Sequence, residues 1–448
     1  MTASADSIPA LRLEGDLALP LRTPGPEIRS ARQELGLSTD RPVVMTGHQA
    51  GLWHAGILAK YILARELADR RGAVVAHVVA DQDTHEPLPL AYPAQREGQL
   101  ALGRWPAKSV PTGLPTGCAP TARELPDVPT DAASESVRAG LELSRRAIAA
   151  SAGEPTLAGQ MCGAMVRALS ERLPGVVRDQ DPTLWATRLA ASEPFSAWLD
   201  RMARDPRACA QTYNEAVAGV PEAGVTALGL GDVGRGAKIE LPLWRVQPGR
   251  ARVRVFADQL GSIPREQLAP RALLLTAFLR AIACDVFIHG TGGGLYDRIT
   301  DAWIRDWWPQ VRLAPTLVAT ATLLVPMPHA QAPAPESIHR ALWQAHHARH
   351  APSGPRQARK RELVDAIARC RDKAERQSLF QTLQSLLREH RAEVAGELTS
   401  ADEHARAMRA RLGESAIVFD RTWPFVLHTP EALGALRSAI RARLEGAR

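Results

Sequence analysis

The sequence has few cysteines, and they lie far apart. Five cysteines occur among 448 residues, and no two of them form a Cys-x-x-Cys pair. Disulfide frameworks and zinc fingers both need closely spaced cysteines, so the pattern argues against either as the basis of the fold. Scattered single cysteines are typical of a reducing compartment, and we expect a cytoplasmic protein.

A long apolar run is also lacking. The longest candidate, residues 313–326, is short and interrupted by Pro and Thr, whereas a membrane-spanning helix needs about 20 mostly apolar residues. The first residues, MTASADSIPALRLEGD, carry no basic patch followed by an apolar stretch, as a secretory signal would. We therefore expect a globular protein of two or three compact units, without a membrane span.

Aromatic residues are scarce, while positive charge is in excess. Phe, Trp and Tyr make up 5% of the chain, and the formal net charge is +7. Nucleic-acid binding typically uses basic patches interleaved with aromatic residues, but here the basic residues, mostly arginine, are spread along predicted helices. The composition argues against nucleic-acid binding. It leaves open an acidic or phosphorylated substrate, or simply a GC-rich genome, which encodes arginine in place of lysine and much alanine.

A strand–helix–strand unit is predicted near the N-terminus. Residues 42–46 and 73–80 have the short apolar pattern of buried strands, and residues 57–71 have helical spacing with a stop at Gly72. Such a unit implies a parallel sheet with a right-handed crossover. The loop after the first strand is rich in small and imidazole-bearing residues, which suit a ligand better than a core. It supplies the candidates Thr46, Gly47, His48, Gln49, Gly51 and His54.

Two further polar clusters follow predicted strands. The second strand ends in DQDTHE, residues 81–86, and a predicted strand at residues 285–289 ends in GTGGG. Loops at the carboxyl ends of parallel strands share one edge of a sheet, so we expect these clusters to meet the first loop. The acidic cluster could anchor a substrate, act as a base, ligate a metal or cap a helix. Consecutive glycines let backbone amides approach an anion at a helix N-terminus.

The remaining sequence divides into recognisable segments. The predicted core spans residues 1–330 and includes a Pro-rich loop at 103–131, which could form a lid, and a helical insert at 132–217. Residues 331–412 have the apolar stripe of a helical arm that packs on itself or on a second subunit. Residues 413–448 are apolar enough to dock back on the core. A Gly-x-Gly-x-x-Gly match within residues 229–234 precedes a strand-like segment instead of a helix, so we interpret it as a connector.

The polar clusters resemble the motifs of a known family, the bacillithiol biosynthesis cysteine-adding enzymes. Residues 46–52, TGHQAGL, are similar to the TGQQ-AGL motif of that family, with His48 in place of a glutamine. Residues 81–86 are similar to its acidic EDHD-type cluster, with Asp83 matching and Thr84 in place of a histidine. The order and spacing of the motifs also match.

The third motif shares the family pattern in part. Residues 290–296, GTGGGLY, are similar to a GPGE-x-x-Y loop, keeping its outer glycines and Tyr296, while Gly293 replaces the glutamate. Leu275 stands where the family has an arginine at the end of a Ser-Pro segment. The resemblance spans most of the chain, including the helical arm and the docking tail.

The resemblance implies both a fold and a reaction. The implied fold is α/β, with a Rossmann-like parallel-sheet core, inserted segments and a C-terminal coiled-coil arm that makes a homodimer. The implied enzyme is a carbon–nitrogen ligase that joins the carboxyl of cysteine to the amine of glucosaminyl malate, an amino-sugar conjugate, in bacillithiol-type thiol synthesis. ATP is a candidate cosubstrate, and the sequence leaves metal use open.

Amide formation assigns roles to the candidate residues, because it needs a deprotonated amine and donors for an oxyanion or phosphate. We expect Asp83 or His85 to anchor and deprotonate the amine, and His48 and Gln49 to contact the activated carboxyl or phosphate. The predicted catalytic residues are therefore His48, Asp83 and His85. The predicted substrate-binding residues are Thr46, Gly47, Gln49, Gly51, His54, Asp81, Glu86, Gly290, Gly292, Gly293, Gly294 and Tyr296.

Two other interpretations fit the same sequence. The changed motif positions favour a ligase or transferase on the same scaffold that joins a different amine to a different amino acid. A non-enzymatic dimeric protein, whose basic helical arm contacts RNA or another partner, would also carry these patterns; steep salt dependence of RNA binding would identify it.

Overall fold

The structure, a computed structural model, describes residues 10–21, 25–106, 113–231, 238–327 and 332–446. These residues fall into two compact units. Within the described ranges, the larger unit contains residues 10–94, 102–326 and 421–446, and the smaller contains residues 95–101 and 327–420. Part of the predicted lid loop and part of the predicted connector at 229–234 lie outside the described residues.

The larger unit contains all of the sheet strands except the tip of one hairpin. The strands are β1 (Ala10–Glu14), β2 (Val43–His48), β3 (Val74–Val79), β4 (Leu90–Arg96), β5 (Gln99–Trp105), β6 (Thr183–Trp185), β7 (Glu240–Gln247), β8 (Arg250–Phe256), β9 (Leu268–Pro270), β10 (Val286–His289) and β11 (Thr316–Thr322). They form a six-stranded sheet, a three-stranded sheet in the order β8-β7-β9, and the β4-β5 hairpin.

The helices surround the sheet and build the smaller unit. They are α1 (Pro26–Glu34), α2 (Ala55–Arg71), α3 (Glu135–Ala150), α4 (Leu157–Arg172), α5 (Ala186–Leu189), α6 (Glu193–Arg204), α7 (Pro206–Ala218), α8 (Ala272–Phe278), α9 (Thr291–Trp307), α10 (Pro335–Ala348), α11 (Gly354–Arg369), α12 (Lys373–Glu393), α13 (Ala395–Ala410), α14 (Leu412–Val418) and α15 (Pro430–Glu445). None of the helices within the described ranges combines the length and apolar character needed to cross a bilayer.

The main sheet confirms a mixed α/β fold with mostly parallel strands. Its order is β1-β11-β10-β2-β3-β6, in which only β1 is antiparallel to its neighbour. The predicted strand–helix–strand unit is confirmed as β2-α2-β3, and the predicted strand near residue 286 is confirmed as the neighbour of β2. The strands β1, β6 and β11 were not predicted. The Rossmann-like and coiled-coil descriptions stay predictions.

The order in which successive strands are added to the sheet reverses between the parallel strands β10 and β2. From β2 the chain passes through α2 to β3 on one side, whereas from β10 it passes through α9 to β11 on the other. Right-handed crossovers place such helices on opposite faces of a sheet. Val43 and Met45 share a core with Trp303 of α9, while α2 packs on the other face, against β2 and β11. The loops after β2 and β10 therefore diverge and leave a crevice, where open α/β sheets bind ligands.

Helix α2 is buried along most of its length and is fixed at both ends. His54 caps its N-terminus, because Nδ1 accepts a hydrogen bond from the Gly56 amide at 3.1 Å. Gly72 ends it in the left-handed conformation at φ 63°, as the sequence predicts. The C-terminal helix α15 packs against α2, and its Arg437 and Arg441 donate hydrogen bonds to Glu66.

The smaller unit is mainly helical. Helices α11 and α12 pack against each other around Leu363, Leu383 and Leu387, and α10 packs against α13. These three leucines belong to the apolar stripe from which the sequence predicts a helical arm that packs on itself or on a second subunit. His390 Nε2 lies 2.8 Å from the Ala348 carbonyl and links α12 to the end of α10.

Candidate functional site

A cleft of about 760 Å³ lies at the carboxyl ends of β2, β3 and β10. It is the crevice expected between β2 and β10, where the order of successive strands in the sheet reverses. The three predicted loops converge on it. The predicted site residues that line it are Gly47, His48, Gln49, His54, Asp83, Gly290, Gly292, Gly293 and Tyr296.

Three of the predicted residues, Thr46, Asp81 and Gly294, do not line this cleft. Thr46 is fully buried, and its hydroxyl donates to the Ile288 carbonyl at 2.8 Å, which ties β2 to β10. Asp81 is also buried and accepts hydrogen bonds from both the amide and the hydroxyl of Thr187. Burial raises the pKa of Asp81, and the Thr187 bonds oppose that rise. Gly294 allows close packing, since a Cβ there would lie 3.1 Å from Val318 Cγ2.

The remaining three predicted residues, Gly51, His85 and Glu86, line a second and smaller pocket of about 210 Å³. This small pocket also contains the segments 50–53, 85–87 and 89–91 and two residues from the C-terminal segment, Thr422 and Pro424. His48 and Gln49 line both the cleft and the small pocket, so their side chains stand between the two.

His48 presents a neutral imidazole to the cleft. Burial, together with repulsion from Lys60 and His85, lowers the pKa of His48 to about 3. Its Nδ1 is buried and has no hydrogen-bond partner among the described residues. Trp53 packs edge-on against the ring, with centroids 6.2 Å apart. A neutral ring with an unused nitrogen can donate to or accept from a ligand without adding charge.

Asp83 is held by its neighbours in an orientation that faces the cleft. The Gln49 side-chain amide donates to one carboxylate oxygen, and the Thr84 backbone amide donates to the other at 2.8 Å. Arg252 Nη1 lies 3.2 Å from the same carboxylate and also donates to the Gln82 carbonyl at 2.8 Å. A carboxylate fixed in this way can anchor an amine or accept its proton.

Lys60 is the most unusual residue at the cleft, and the sequence did not lead us to it. Its side chain is only 4% exposed, and burial lowers its pKa from 10.5 to about 7. Nζ donates to the Gly47 carbonyl at 2.7 Å, beside the loop that carries His48. A helical lysine is usually solvated, but Lys60 stands inside the apolar run ILAKYILA. That run could have indicated a buried lysine.

The N-terminus of α9 provides free backbone donors. Its N-cap is Gly290 and no side chain caps it, so the amides of its first turn lack partners within the helix. Gly292 has no atom within 4 Å of the place where a Cβ would stand, whereas a Cβ on Gly293 would lie 2.3 Å from His289 Nδ1. Open space, free amides and the helix dipole together suit an anionic group.

Arginines from the three-stranded sheet and from the start of α8 form the opposite wall. Trp244 is stacked between two of them, with the Arg252 and Arg271 Cζ atoms 4.4 Å and 4.0 Å from its ring centroid. Glu240 accepts a hydrogen bond from Arg271 at 2.5 Å and pairs with Arg254 at 3.3 Å. The sequence predicted the β7-β8 hairpin, but nothing in its alternating pattern connected it to the site.

The charges that line the cleft are predominantly positive. Glu240 and Asp83 are its acidic residues, against five basic ones, which are Lys60, Arg252, Arg254, Arg271 and Arg421. The cleft therefore favours an anionic ligand. Among the described residues, no three His, Cys, Asp or Glu side chains lie close enough to hold a metal ion.

Comparison with known proteins does not assign the chain to a family. No protein-family model matches the sequence, and no curated protein matches it.

Proposed function

We propose that this chain is a carbon–nitrogen ligase that forms an amide between the carboxyl of cysteine and the amine of an anionic amino-sugar conjugate, glucosaminyl malate. The observation that carries the proposal is the convergence of Asp83, neutral His48 and the free end of α9 in one basic cleft. The identity of the substrates rests on the motif resemblance. The arginine wall supports an acceptor that carries negative charge.

The residues present support the proton transfers of amide formation. The amine must lose a proton as its nitrogen bonds to the carboxyl carbon, while the bond from that carbon to the leaving oxygen breaks. Asp83 can take the proton, because Gln49 and Arg252 hold its carboxylate towards the cleft. His48 and the amides at the start of α9 can donate hydrogen bonds to the oxygen on which charge develops.

A phosphate group fits the site, and ATP is our proposed cosubstrate. The open first turn at Gly292 and Gly293, with Arg271 across the cleft, would hold the phosphates. When bound, ATP would supply the energy to activate the carboxyl. The cleft volume of about 760 Å³ lies within the range of roughly 300–1,000 Å³ that small-molecule sites occupy.

Substitution of Asp83 by asparagine tests the proposal. We expect Asp83→Asn to lower kcat about 100-fold or more, because an amide keeps the shape but cannot accept the proton. The measurement is mass spectrometry of the cysteinyl amide formed from cysteine, glucosaminyl malate, ATP and magnesium. Asp179→Asn, an exposed carboxylate elsewhere in the same unit, is the control and should turn over normally. Full turnover by Asp83→Asn would remove Asp83 from the mechanism.

A second candidate is a ligase or transferase for a different amine and amino acid. It is favoured by Leu275, which lines the cleft at the position where the resembled family has an arginine. A thermal-shift screen against amino acids and amino sugars separates the two. Stabilisation by an amine other than glucosaminyl malate, together with no cysteinyl amide in the first assay, would favour the second candidate.

A further inference from the structure

The small pocket has the dimensions of a separate binding site. Its volume of about 210 Å³ corresponds to roughly seven water-sized groups at ~30 Å³ each, close to the size of a small amino acid. It meets the cleft only through residues that both cavities share, His48 and Gln49. A molecule in the small pocket and a ligand in the cleft would therefore both contact His48 and Gln49.

The two cavities differ sharply in charge. Five basic side chains line the cleft, whereas none of the described residues that line the small pocket is Lys or Arg. Glu86, at the exposed rim, is the one carboxylate among them. An anion has no counter-charge in the small pocket, while an ammonium group does. The cleft is therefore suited to an anionic group, and the small pocket to an ammonium group.

The buried wall of the small pocket offers hydrogen-bond acceptors. His85 Nε2 lies 2.7 Å from the Ala50 carbonyl, and because a carbonyl can only accept, Nε2 must carry the hydrogen. In the neutral ring, Nδ1 is then an acceptor, and this atom is buried without a partner among the described residues. Buried polar atoms are almost always paired, so a ligand that donates hydrogen bonds would complete this wall.

We propose that the small pocket is a second substrate subsite, which binds the ammonium group of a compact amino acid and directs its carboxylate past His48 and Gln49 into the basic cleft. This inference rests on the proposed function, because it assigns the pocket to the amino-acid substrate of the ligase. Glu86 and His85 select for the amino group. The volume limits the side chain to about the size of that of cysteine or serine.

Two glycines allow each cavity to be filled separately. A Cβ at Gly51 would meet nothing closer than Pro87 Cβ at 4.0 Å, and a Cβ at Gly292 would meet nothing within 4 Å. Gly51→Leu should therefore occupy the small pocket, and Gly292→Leu should occupy the cleft, each without a backbone clash. Glu86→Gln, at the exposed rim, removes the charge without filling space and carries little risk to folding.

The experiment is isothermal titration calorimetry with three probes, L-cysteine, 3-mercaptopropionate and inorganic pyrophosphate. We expect Gly51→Leu to weaken L-cysteine binding at least tenfold and to leave pyrophosphate binding unchanged, and Gly292→Leu to do the reverse. Wild type should bind 3-mercaptopropionate, which lacks the amino group, at least tenfold more weakly than L-cysteine. Glu86→Gln should weaken L-cysteine binding alone.

Several results would overturn the subsite. These are L-cysteine binding that survives both Gly51→Leu and Glu86→Gln, equal binding of the two thiols, or a wild-type protein that binds none of L-cysteine, L-serine and glycine. Because calorimetry needs no turnover, the proposed function is judged separately. Selective cysteine binding without any amide product would contradict the ligase and keep the subsite. Amide formation with an unchanged KM for cysteine in Gly51→Leu would support the ligase and contradict the subsite.

Discussion

Gly47→Ala is expected to lose about 3 kcal/mol or more of unfolding free energy and, with it, ligand binding in the cleft. A Cβ at Gly47 would stand 2.1 Å from the Val78 carbonyl oxygen and 2.3 Å from Val78 Cγ1. That carbonyl belongs to β3, which is paired with β2 along its length, so neither strand can move without breaking the sheet. Urea unfolding followed by circular dichroism measures the loss.

Gly51→Ala is the matched control for this substitution. It lies in the loop that follows β2, but the nearest atom to its new methyl group would be 4.0 Å away. We expect its stability to stay within about 0.5 kcal/mol of wild type, as for most substitutions that create no clash. If Gly47→Ala unfolds at the wild-type urea concentration, the close contact between β2 and β3 is wrong.

Lys60→Met is expected to stabilise the protein by roughly 3 kcal/mol near neutral pH while weakening anion binding at least tenfold. Burial lowers the pKa of Lys60 from 10.5 to about 7. Each unit by which the pKa falls lowers the free energy of unfolding by about 1.4 kcal/mol while the lysine is protonated. Part of this gain is offset, because the substitution also removes the hydrogen bond to the Gly47 carbonyl. Gaining stability while losing ligand binding is typical of a residue kept for function.

The pH dependence of this effect has a definite sign. The unfolded lysine binds its proton up to about pH 10.5, whereas the folded one loses it near pH 7, so unfolding takes up a proton between those values. The cost of burying Lys60 is therefore complete below about pH 7 and decreases as the pH rises towards 10.5. The stability gain of Lys60→Met should be largest below pH 7 and should vanish above about pH 10.

Anion binding by the wild-type protein should also depend on the charge of Lys60. Sulfate, whose charge is constant between pH 6 and 9, should bind more weakly as the pH rises through about 7, because Lys60 loses its charge. Lys60→Met should lack this step, and the exposed control Lys373→Met should keep it. A pH-independent sulfate affinity in wild type would contradict a role for Lys60 in binding anions.

The centre of the sheet could be predicted because its signals are local. β2 and β3 lie in short, mostly apolar runs, α2 has apolar residues at helical spacing, and Gly72 marks the helix end. The three-residue strand β6 has no such pattern, since its identity depends on pairing with β3. β11 reads TLVATAT, in which the threonines conceal a half-buried alternation. Such strands are defined by partners that sequence alone does not reveal.

The site was predictable in its loops but not in its walls. Polar residues at strand ends gave His48 and Asp83, because parallel strands bring those ends together. The same rule also selected Asp81, but its carboxylate accepts a hydrogen bond from Thr187 and does not line the cleft. Arg252 was missed because strand alternation indicates that a side chain leaves the core without indicating what it faces, and Arg271 because it stands alone at the start of α8. Finding them requires the position of one sheet relative to another.

The pairing of β1 with β11 and of β2 with β10 also determines when the cleft can form during synthesis of the chain. His48 leaves the ribosome long before Gly290, by roughly 10–50 s at ~5–20 residues per second. During that interval the nascent chain carries β1 and β2 without their distant partners, and unpaired strand edges invite aggregation. The cleft can form only once most of the chain has emerged. A chaperone that shields the emerging β2 edge would therefore raise the yield of folded protein more than one acting on the later helical unit.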